Sequence, residues 1–248
     1  VTGAIWYQGE SNEGDGLSYE AKQIALVSGW RKAWQDEFPF YYVQLASFRK
    51  PTDDPKGGNG YAPLREAQRR ALAQIPRAGM AVAIDVGDAG NIHPPDKQEV
   101  GERLARWALR DVHGKKGVVP SGPLFREMKV ERDRVRLFFD YAESGLMAGD
   151  KQALEPVRPT DAPLLGFSVA GSDGKYYHAQ AVIDGNCVVV SAPEVASPVA
   201  VRYAYRANPM GRANLYNRAG LPASPFFSEI PGVPADSQRM PRAAASGS

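Results

Sequence analysis

The chain has 248 residues, 43% of them hydrophobic, and its 30 Lys and Arg residues against 28 Asp and Glu leave a formal net charge of +2. That length and apolar content suffice for a large buried core, and the balanced charge argues against a nucleic-acid or polybasic membrane surface. No apolar run reaches the roughly 18 residues that a transmembrane helix requires, and the one cysteine, Cys187, cannot form an internal disulfide. We therefore expect neither a nucleic-acid nor a membrane partner.

The first half of the chain alternates strand-like and helix-like patterns. Runs of apolar, aromatic and β-branched residues predict buried strands at 4–7, 39–45 and 79–85. Apolar residues at helical spacing predict helices at 18–34, 63–75 and 96–113. The order βαβαβα is typical of a parallel sheet with right-handed crossovers, whose ligands bind beyond the carboxyl ends of the strands.

From about residue 118 the pattern changes to short strands separated by turn residues. They are expected at 128–130, 135–139, 166–169, 181–183, 187–190 and 199–205, a spacing typical of an antiparallel sandwich. We therefore predict an α/β domain over 1–117, a β-rich accessory domain over 118–230 and a flexible tail over 231–248, which is rich in Pro, Ala and Ser.

The first predicted strand begins almost at once, at Ala4. A strand of this apolar character needs neighbours on both sides. We therefore expect the sheet to be partial and further strands to come from a segment upstream of the chain.

One candidate site follows the first strand, where an amide, a glycine, a carboxylate and a hydroxyl stand together in the segment QGESN at 8–12. Gly9 lets a substrate approach the backbone N–H closely, and Gln8 or Asn12 could supply a second donor to a developing oxyanion. The alternative is an ordinary hydrogen-bonded turn, since Gly, Ser and Asn are common turn residues.

A second candidate site follows the third strand, in the segment DVGDAGNIHP at 85–94. His93 could act as a general base oriented by Asp85 or Asp88. Alternatively, the aspartates cap turns and the histidine packs locally. Arg65, on the second helix, could face the same edge of the sheet to bind substrate, although a charged helix face is usually only solvated. No Cys/His spacing typical of a metal site is present, so we expect no metal.

Five segments together resemble the sialate O-acetylesterase family and the related acetylxylan esterases. They are GAIWYQGESN at 3–12, FPFYYVQLASF at 38–48, LREAQ at 64–68, IHPPDKQEVGERLARWAL at 92–109 and ANLYNRAGLPASPF at 213–226. Each segment alone is a weak signal, whereas their joint order, which spans nearly the whole chain, is highly specific.

The resemblance implies a serine esterase that removes acetyl groups from the hydroxyls of an acetylated sugar or glycan and that needs no cofactor. It implies a flavodoxin-like SGNH hydrolase sheet, of which residues 1–117 are the C-terminal part, followed by a β-rich domain. The resemblance to this family also implies that the chain comes from a bacterial enzyme located in the periplasm or outside the cell.

When the family's oxyanion-hole positions are matched to this sequence, the resemblance places them at Gln8 and Gly9, together with Asn12. It makes His93 the catalytic base. The nucleophile of this family comes from a Gly-Gln-Ser-Asn-Met-like motif on an earlier strand, and no such motif occurs in the 248 residues. Ser11 falls in the oxyanion segment, so we do not expect it to be the nucleophile.

The resemblance identifies less clearly the acidic residue that would orient His93 in a serine–histidine–acid triad. The superfamily often places it three residues before the histidine, where this chain has Gly90. Asp88 and then Asp85 are the expected substitutes, and a serine–histidine dyad is the alternative.

Two other functions fit parts of the sequence. The chain could be a catalytically inactive carbohydrate-binding remnant whose β-rich part presents aromatic side chains, namely Tyr176, Tyr177, Tyr203 and Tyr205, although tyrosines in such strands more often belong to a core. It could also be a glycosidase that uses Glu10 and Asp88 as its two carboxylates.

Overall fold

A computed structural model describes residues 2–229 of the chain. Its first half contains three parallel strands, β1 (Ala4–Trp6), β2 (Phe40–Gln44) and β3 (Ala78–Val82), in the order β1-β2-β3. Ile5 pairs with Tyr41, and Tyr41 pairs with Gly79. The predicted parallel sheet is therefore confirmed.

Three helices connect or follow these strands: α1 (Tyr19–Trp34), α2 (Ala62–Gln74) and α3 (Lys97–Asp111). Pro63 lies in the first turn of α2, where its missing N–H costs nothing. Asp96 caps α3 by accepting a hydrogen bond from the Glu99 N–H over 3.0 Å. All three predicted helices are confirmed to within a few residues.

The segment after β1 is more regular than the ordinary turn that the sequence offered as an alternative for residues 8–12. It is largely a 3-10 helix over Glu10–Ser18, interrupted by non-helical backbone at Asn12 and Gly16. Gly16 has a φ of +52°, which a glycine adopts at little cost. Short polar side chains that compete for backbone hydrogen bonds favour such irregular helical turns over a regular α-helix.

The parallel sheet is covered on both faces. Alternate residues of β2 separate into two sets: Phe40 and Tyr42 pack in a core with Val27 of α1, whereas Tyr41 packs in another core with Trp107 of α3. The Trp107 indole N–H also donates to the Met80 carbonyl over 3.1 Å. β2 and β3 are almost wholly buried because both faces of the sheet carry helices.

The β-rich part, residues 118–229, contains eleven strands among the described residues, all paired antiparallel. They are β4 (Leu124–Glu131), β5 (Arg134–Asp140), β6 (Leu146–Asp150), β7 (Arg158–Pro159), β8 (Phe167–Ala170), β9 (Tyr176–His178), β10 (Gln180–Asp184), β11 (Cys187–Ser191), β12 (Ala200–Tyr203), β13 (Leu215–Asn217) and β14 (Phe226–Glu229). The sheet orders are β10-β11-β5-β4, β14-β12-β8-β9 and β13-β6-β7. The six predicted strands are present, and β6, β7, β9, β13 and β14 were not predicted.

One apolar core crosses the predicted boundary at residue 117. Phe40 and Met80 of the parallel sheet belong to the same buried cluster as Leu137 and Phe167 of the β-rich part. The two parts therefore share a hydrophobic core. The domain limits remain a prediction, and the predicted tail at 231–248 lies outside the described residues.

Candidate active site

The loops after the three parallel strands meet at the carboxyl edge of the sheet. Arg49, after β2, forms a bidentate ion pair with Glu13 of the 3-10 helix, in which the two N–O distances are 2.8 and 2.5 Å. The Arg49 N–H donates to the Ala89 carbonyl over 3.1 Å, and the Ser47 hydroxyl donates to the Ile84 carbonyl over 2.5 Å. The segments that carry Gln8, Gly9 and His93 are thus joined through the loop after β2, at the edge where ligands of such sheets bind.

Gly9 has a backbone conformation that suits glycine. Its φ is +145°, and a Cβ added there would lie 3.1 Å from Leu64 and 3.3 Å from Leu45. The Gly9 carbonyl accepts from the Asn12 N–H over 2.8 Å. Both the backbone angle and the close packing explain why a glycine stands at this position.

The side chains around Gly9 form a directed hydrogen-bond chain, which we term the amide relay: Tyr19, Gln8, Asn12 and Asp15. The Tyr19 hydroxyl donates to Gln8 Oε1 over 2.7 Å, Gln8 Nε2 donates to Asn12 Oδ1 over 2.7 Å, and Asn12 Nδ2 donates to Asp15 Oδ2 over 2.6 Å. Lys22 lies 2.6 Å from the same Asp15 oxygen. Hydrogen bonds from Lys22 and then from Asn12 lower the pKa of Asp15.

The relay fixes which way both amides point. An ionised carboxylate only accepts hydrogen bonds, so Asp15 orients the amino group of Asn12 toward itself and leaves Asn12 Oδ1 facing Gln8. The Tyr19 hydroxyl orients Gln8 from the other end. Each amide nitrogen carries two hydrogens, of which the relay uses one, so each retains a donor for a ligand.

His93 lies in the loop between β3 and α3 and is exposed. Its backbone N–H donates to Asn91 Oδ1 over 2.9 Å. Within residues 2–229 no hydrogen bond joins the His93 ring to Asp85 or Asp88. Asp88 Oδ1 instead accepts from the Gly90 N–H over 2.7 Å.

Asp85 is part of a buried ion pair. Arg103 of α3 contacts both of its oxygens, at 2.6 and 2.9 Å, and the two side chains are 3% and 7% exposed. The Tyr216 hydroxyl donates to Asp85 Oδ2 over 3.2 Å. Burial, with the neighbouring Asp85 carboxylate, raises the pKa of Tyr216 well above its usual range, so the phenol stays a donor. Asp85 therefore has a structural role that joins α3 to the β-rich part.

Arg65 is completely buried and binds the backbone. Its guanidinium donates to the carbonyls of Leu45 (2.6 Å), Ala46 (2.6 Å), Arg206 (2.9 Å) and Ala207 (3.0 Å). Burial lowers its pKa to about 10. These bonds hold the end of β2 against the β-rich part. A direct contact between Arg65 and substrate, which the sequence suggested, has no support in this geometry.

Sequence reasoning missed four residues around the site: Asp15, Tyr19, Arg103 and Tyr216. For Tyr19 and Asp15 the signal was local, because both follow Gln8 within eleven residues in a polar stretch. Tyr216 lies 131 residues from its partner Asp85. No local pattern could have joined that pair.

The aromatic residues considered for glycan binding are mostly in the core. Tyr203 is 1% exposed and Tyr205 is 4% exposed, and Tyr176 packs beneath the Arg202 guanidinium, 3.9 Å from its ring centre. Three of the four tyrosines therefore present no exposed ring to a glycan. This favours the core alternative stated for them.

Residues 2–229 contain no cluster of three or more His, Cys, Asp or Glu side chains that could hold a metal ion. None of the helices in this described part of the chain is long and apolar enough to span a membrane.

The chain is similar to several acetylesterases. It is 27% identical to mouse sialate O-acetylesterase over 93% of the chain and 44% of the mouse protein, and 33% identical to the rat protein of the same name over 52% of the chain and 27% of the rat protein. A crystal structure of a carbohydrate acetylesterase from Xanthomonas citri matches with a TM-score of 0.82 and 38% identity, over 92% of this chain and 50% of that one. No protein-family model matches.

The chain thus spans half or less of the length of these relatives. The likeness to the solved structure nevertheless covers both the parallel sheet and the β-rich part, since 92% of the chain is included. The chain belongs to a sialate O-acetylesterase-like family.

Proposed function

We propose that the polypeptide to which this chain belongs removes acetyl groups from carbohydrate hydroxyls. The observation that carries the proposal is the likeness to a carbohydrate acetylesterase over 92% of the chain, at 38% identity. The amide relay beside Gly9 supports it, because it presents oriented donors at the carboxyl edge of the sheet.

The proposed chemistry is acyl transfer through a serine. The serine oxygen attacks the acetyl carbonyl while His93 accepts the hydroxyl proton, and the Gly9 N–H with the Gln8 amide stabilises the resulting oxyanion. The intermediate then collapses, the ester C–O bond breaks, and His93 returns the proton to the departing sugar oxygen. Water releases acetate from the serine by the same steps.

The proposed source of the serine is a segment upstream of this chain. Among the described residues β1 pairs with β2 alone, so its other edge is open, and Ile5 on this strand is 71% exposed. An upstream strand would cover both features. The relatives' greater length is consistent with such a segment.

We also propose that the sheet is the C-terminal part of a flavodoxin-like SGNH sheet. A flavodoxin-like order, 2-1-3-4-5, ends in three consecutive strands lying side by side. The order β1-β2-β3 matches those three strands. The preceding strands of such a sheet would add at β1.

Asp88 is the proposed acid, whereas Asp85 is not, because Asp85 is held by Arg103. A serine–histidine dyad remains the second mechanism. Replacing Asp88 with alanine separates the two: a large loss of kcat supports an acid role, and an unchanged kcat supports the dyad.

A first prediction concerns Ser11, which is exposed in the 3-10 helix. We expect Ser11→Ala to leave deacetylation unchanged in the polypeptide that includes the upstream segment, because another serine is the nucleophile. Acetate release from an acetylated oligosaccharide measures this. Loss of activity in a variant that keeps its circular dichroism spectrum would make Ser11 the nucleophile.

A second prediction concerns Asp15, the acceptor that ends the amide relay. Asp15→Asn lets the new amide donate as well as accept, so Asn12 and Gln8 are no longer held in one orientation. We expect kcat to fall, by less than the roughly 10²–10³-fold that loss of an oxyanion donor costs, with KM little changed. Because hydrogen bonds from Lys22 and Asn12 lower the pKa of Asp15, its carboxylate is protonated at a lower pH than that of an ordinary aspartate, and the effect of the relay should persist to that lower pH.

The matched control for Asp15 is Lys22→Gln, which removes the cation beside Asp15 and keeps the acceptor. The side-chain amide NMR signals of Gln8 and Asn12 should shift in Asp15→Asn and stay in place in the control. Unchanged kinetics together with unchanged amide signals in Asp15→Asn would show that the relay does not orient the donors.

A further inference from the structure

A cavity of about 440 Å³ lies where β3 ends against the β-rich part. Its lining includes Asp85, Lys151, Gln152, Leu165, Met210 and Tyr216. The volume falls within the roughly 300–1,000 Å³ typical of small-molecule sites. The cavity lies on the β3 side of the sheet, so an upstream strand added at β1 would leave it accessible.

The cavity adjoins the loop that carries His93. Asp85 in its wall lies three residues after the end of β3, and His93 lies in the loop that continues from there. Lys151 in its wall lies 3.8 Å from the carboxylate of Asp96, which caps α3 and follows His93 by three residues. The cavity wall therefore contains a residue at the start of the His93 loop, Asp85, and contacts the end of that loop through Lys151.

Of the three charged side chains that the described residues place in the wall, Asp85 and Lys151 already have partners in the protein, while Asp150 accepts a hydrogen bond from the Gln152 amide over 2.6 Å. Asp85 pairs with Arg103, as described above. Among the described residues Lys151 is the one cation in the lining, and its ammonium donates to the carbonyls of Ala153 (2.9 Å) and Glu155 (2.8 Å). An acidic ligand would face the carboxylates of Asp85 and Asp150, and the Lys151 ammonium already donates to protein carbonyls. The wall therefore favours a neutral ligand.

The rest of the lining contains both hydrogen-bonding and apolar side chains. Gln152 and Thr160 offer an amide and a hydroxyl, while Leu165, which is 45% exposed, and Met210 offer apolar surface. A pyranose ring carries hydroxyls at its rim and C–H groups on its faces. This combination of groups matches a neutral sugar better than it matches an ion or a wholly apolar molecule.

We propose that this cavity binds a neutral sugar residue of the acetylated glycan, next to the residue that carries the acetyl group. The inference rests on the proposed deacetylase function and narrows its substrate to neutral glycans, in preference to acidic sugars such as sialic acid. It assigns to the β-rich part a role in choosing the substrate.

The test is Ala162→Trp, which places a large side chain at the mouth of the cavity. Ala162 lines the cavity and is exposed, so the fold tolerates the change. Ala196→Trp is the matched control, an exposed alanine outside the lining. Binding of xylotetraose and of N-acetylneuraminic acid to the chain is measured by titration calorimetry and ligand-observed NMR.

We expect saturable binding of xylotetraose that Ala162→Trp weakens at least about tenfold, a loss of roughly 1.4 kcal/mol, with no change in Ala196→Trp. Absence of xylotetraose binding, equal binding in Ala162→Trp, or tighter binding of N-acetylneuraminic acid would each overturn the inference. Binding does not require turnover, so a failure of the deacetylase proposal would appear separately, as a polypeptide that binds sugar and releases no acetate.

Discussion

Replacing His93 with alanine is expected to lower the rate of carbohydrate deacetylation about 10²–10⁴-fold, the contribution typical of a positioned general acid–base. The effect should fall on kcat, because the role proposed for His93 is proton transfer in the transition state, and the proposed oxyanion donors at Gln8 and Gly9 remain. The exposed position of His93 in its loop means that its removal should leave the fold intact. Acetate release by the polypeptide that includes the upstream segment measures the loss.

The matched control is His113→Ala, which removes another exposed histidine just beyond the end of α3. Its activity should equal that of the wild type. If His93→Ala retained full activity, His93 would not be the base, and the candidate site would lose its central residue.

Arg103→Met is expected to lower the free energy of unfolding by about 3–5 kcal/mol, the usual cost of removing one partner of a buried ion pair. Methionine keeps much of the side-chain volume, so the loss reports mainly the Asp85 carboxylate left without its cation. The pair is almost completely buried, and Arg103 also donates to the Val82 carbonyl over 2.5 Å. Urea unfolding followed by circular dichroism gives the change.

Two further variants serve as controls for the Arg103→Met measurement. Arg126→Met, in an ion pair whose side chains are about half exposed, should cost at most about 1 kcal/mol. Adding Asp85→Asn to Arg103→Met should restore part of the lost stability, because it removes the uncompensated charge. A loss in Arg103→Met as small as in Arg126→Met would contradict the structural role given to Asp85.

Much of the fold could be predicted because its strands and helices produce hydrophobic patterns over short stretches of the sequence. The parallel strands are short runs of apolar residues, and the helices repeat apolar residues every three or four positions, so both appear in a single pass along the chain. β13 was missed because Leu215–Asn217 is only three residues long and carries one aromatic and one amide. β7 has two residues, Arg158 and Pro159, and neither favours a strand.

The roles of single site residues were harder to predict, since partners distant in sequence decide them. Arg65 looked like a solvated or substrate-facing charge, yet backbone carbonyls at 206 and 207 bind it. Asp85 stood near His93 in sequence, and Arg103 and Tyr216 hold it instead. Gly9 has a positive backbone angle and close neighbours that account for a glycine there, whereas its role in an oxyanion hole stays a prediction.

The most direct test of this account is acetate release from an acetylated oligosaccharide, measured for this chain alone and for the polypeptide extended upstream. If the nucleophilic serine comes from the upstream segment, the chain alone should release acetate only at the background rate, and the extended polypeptide should hydrolyse the substrate. Efficient hydrolysis by the chain alone, abolished by Ser11→Ala with the fold retained, would contradict the account.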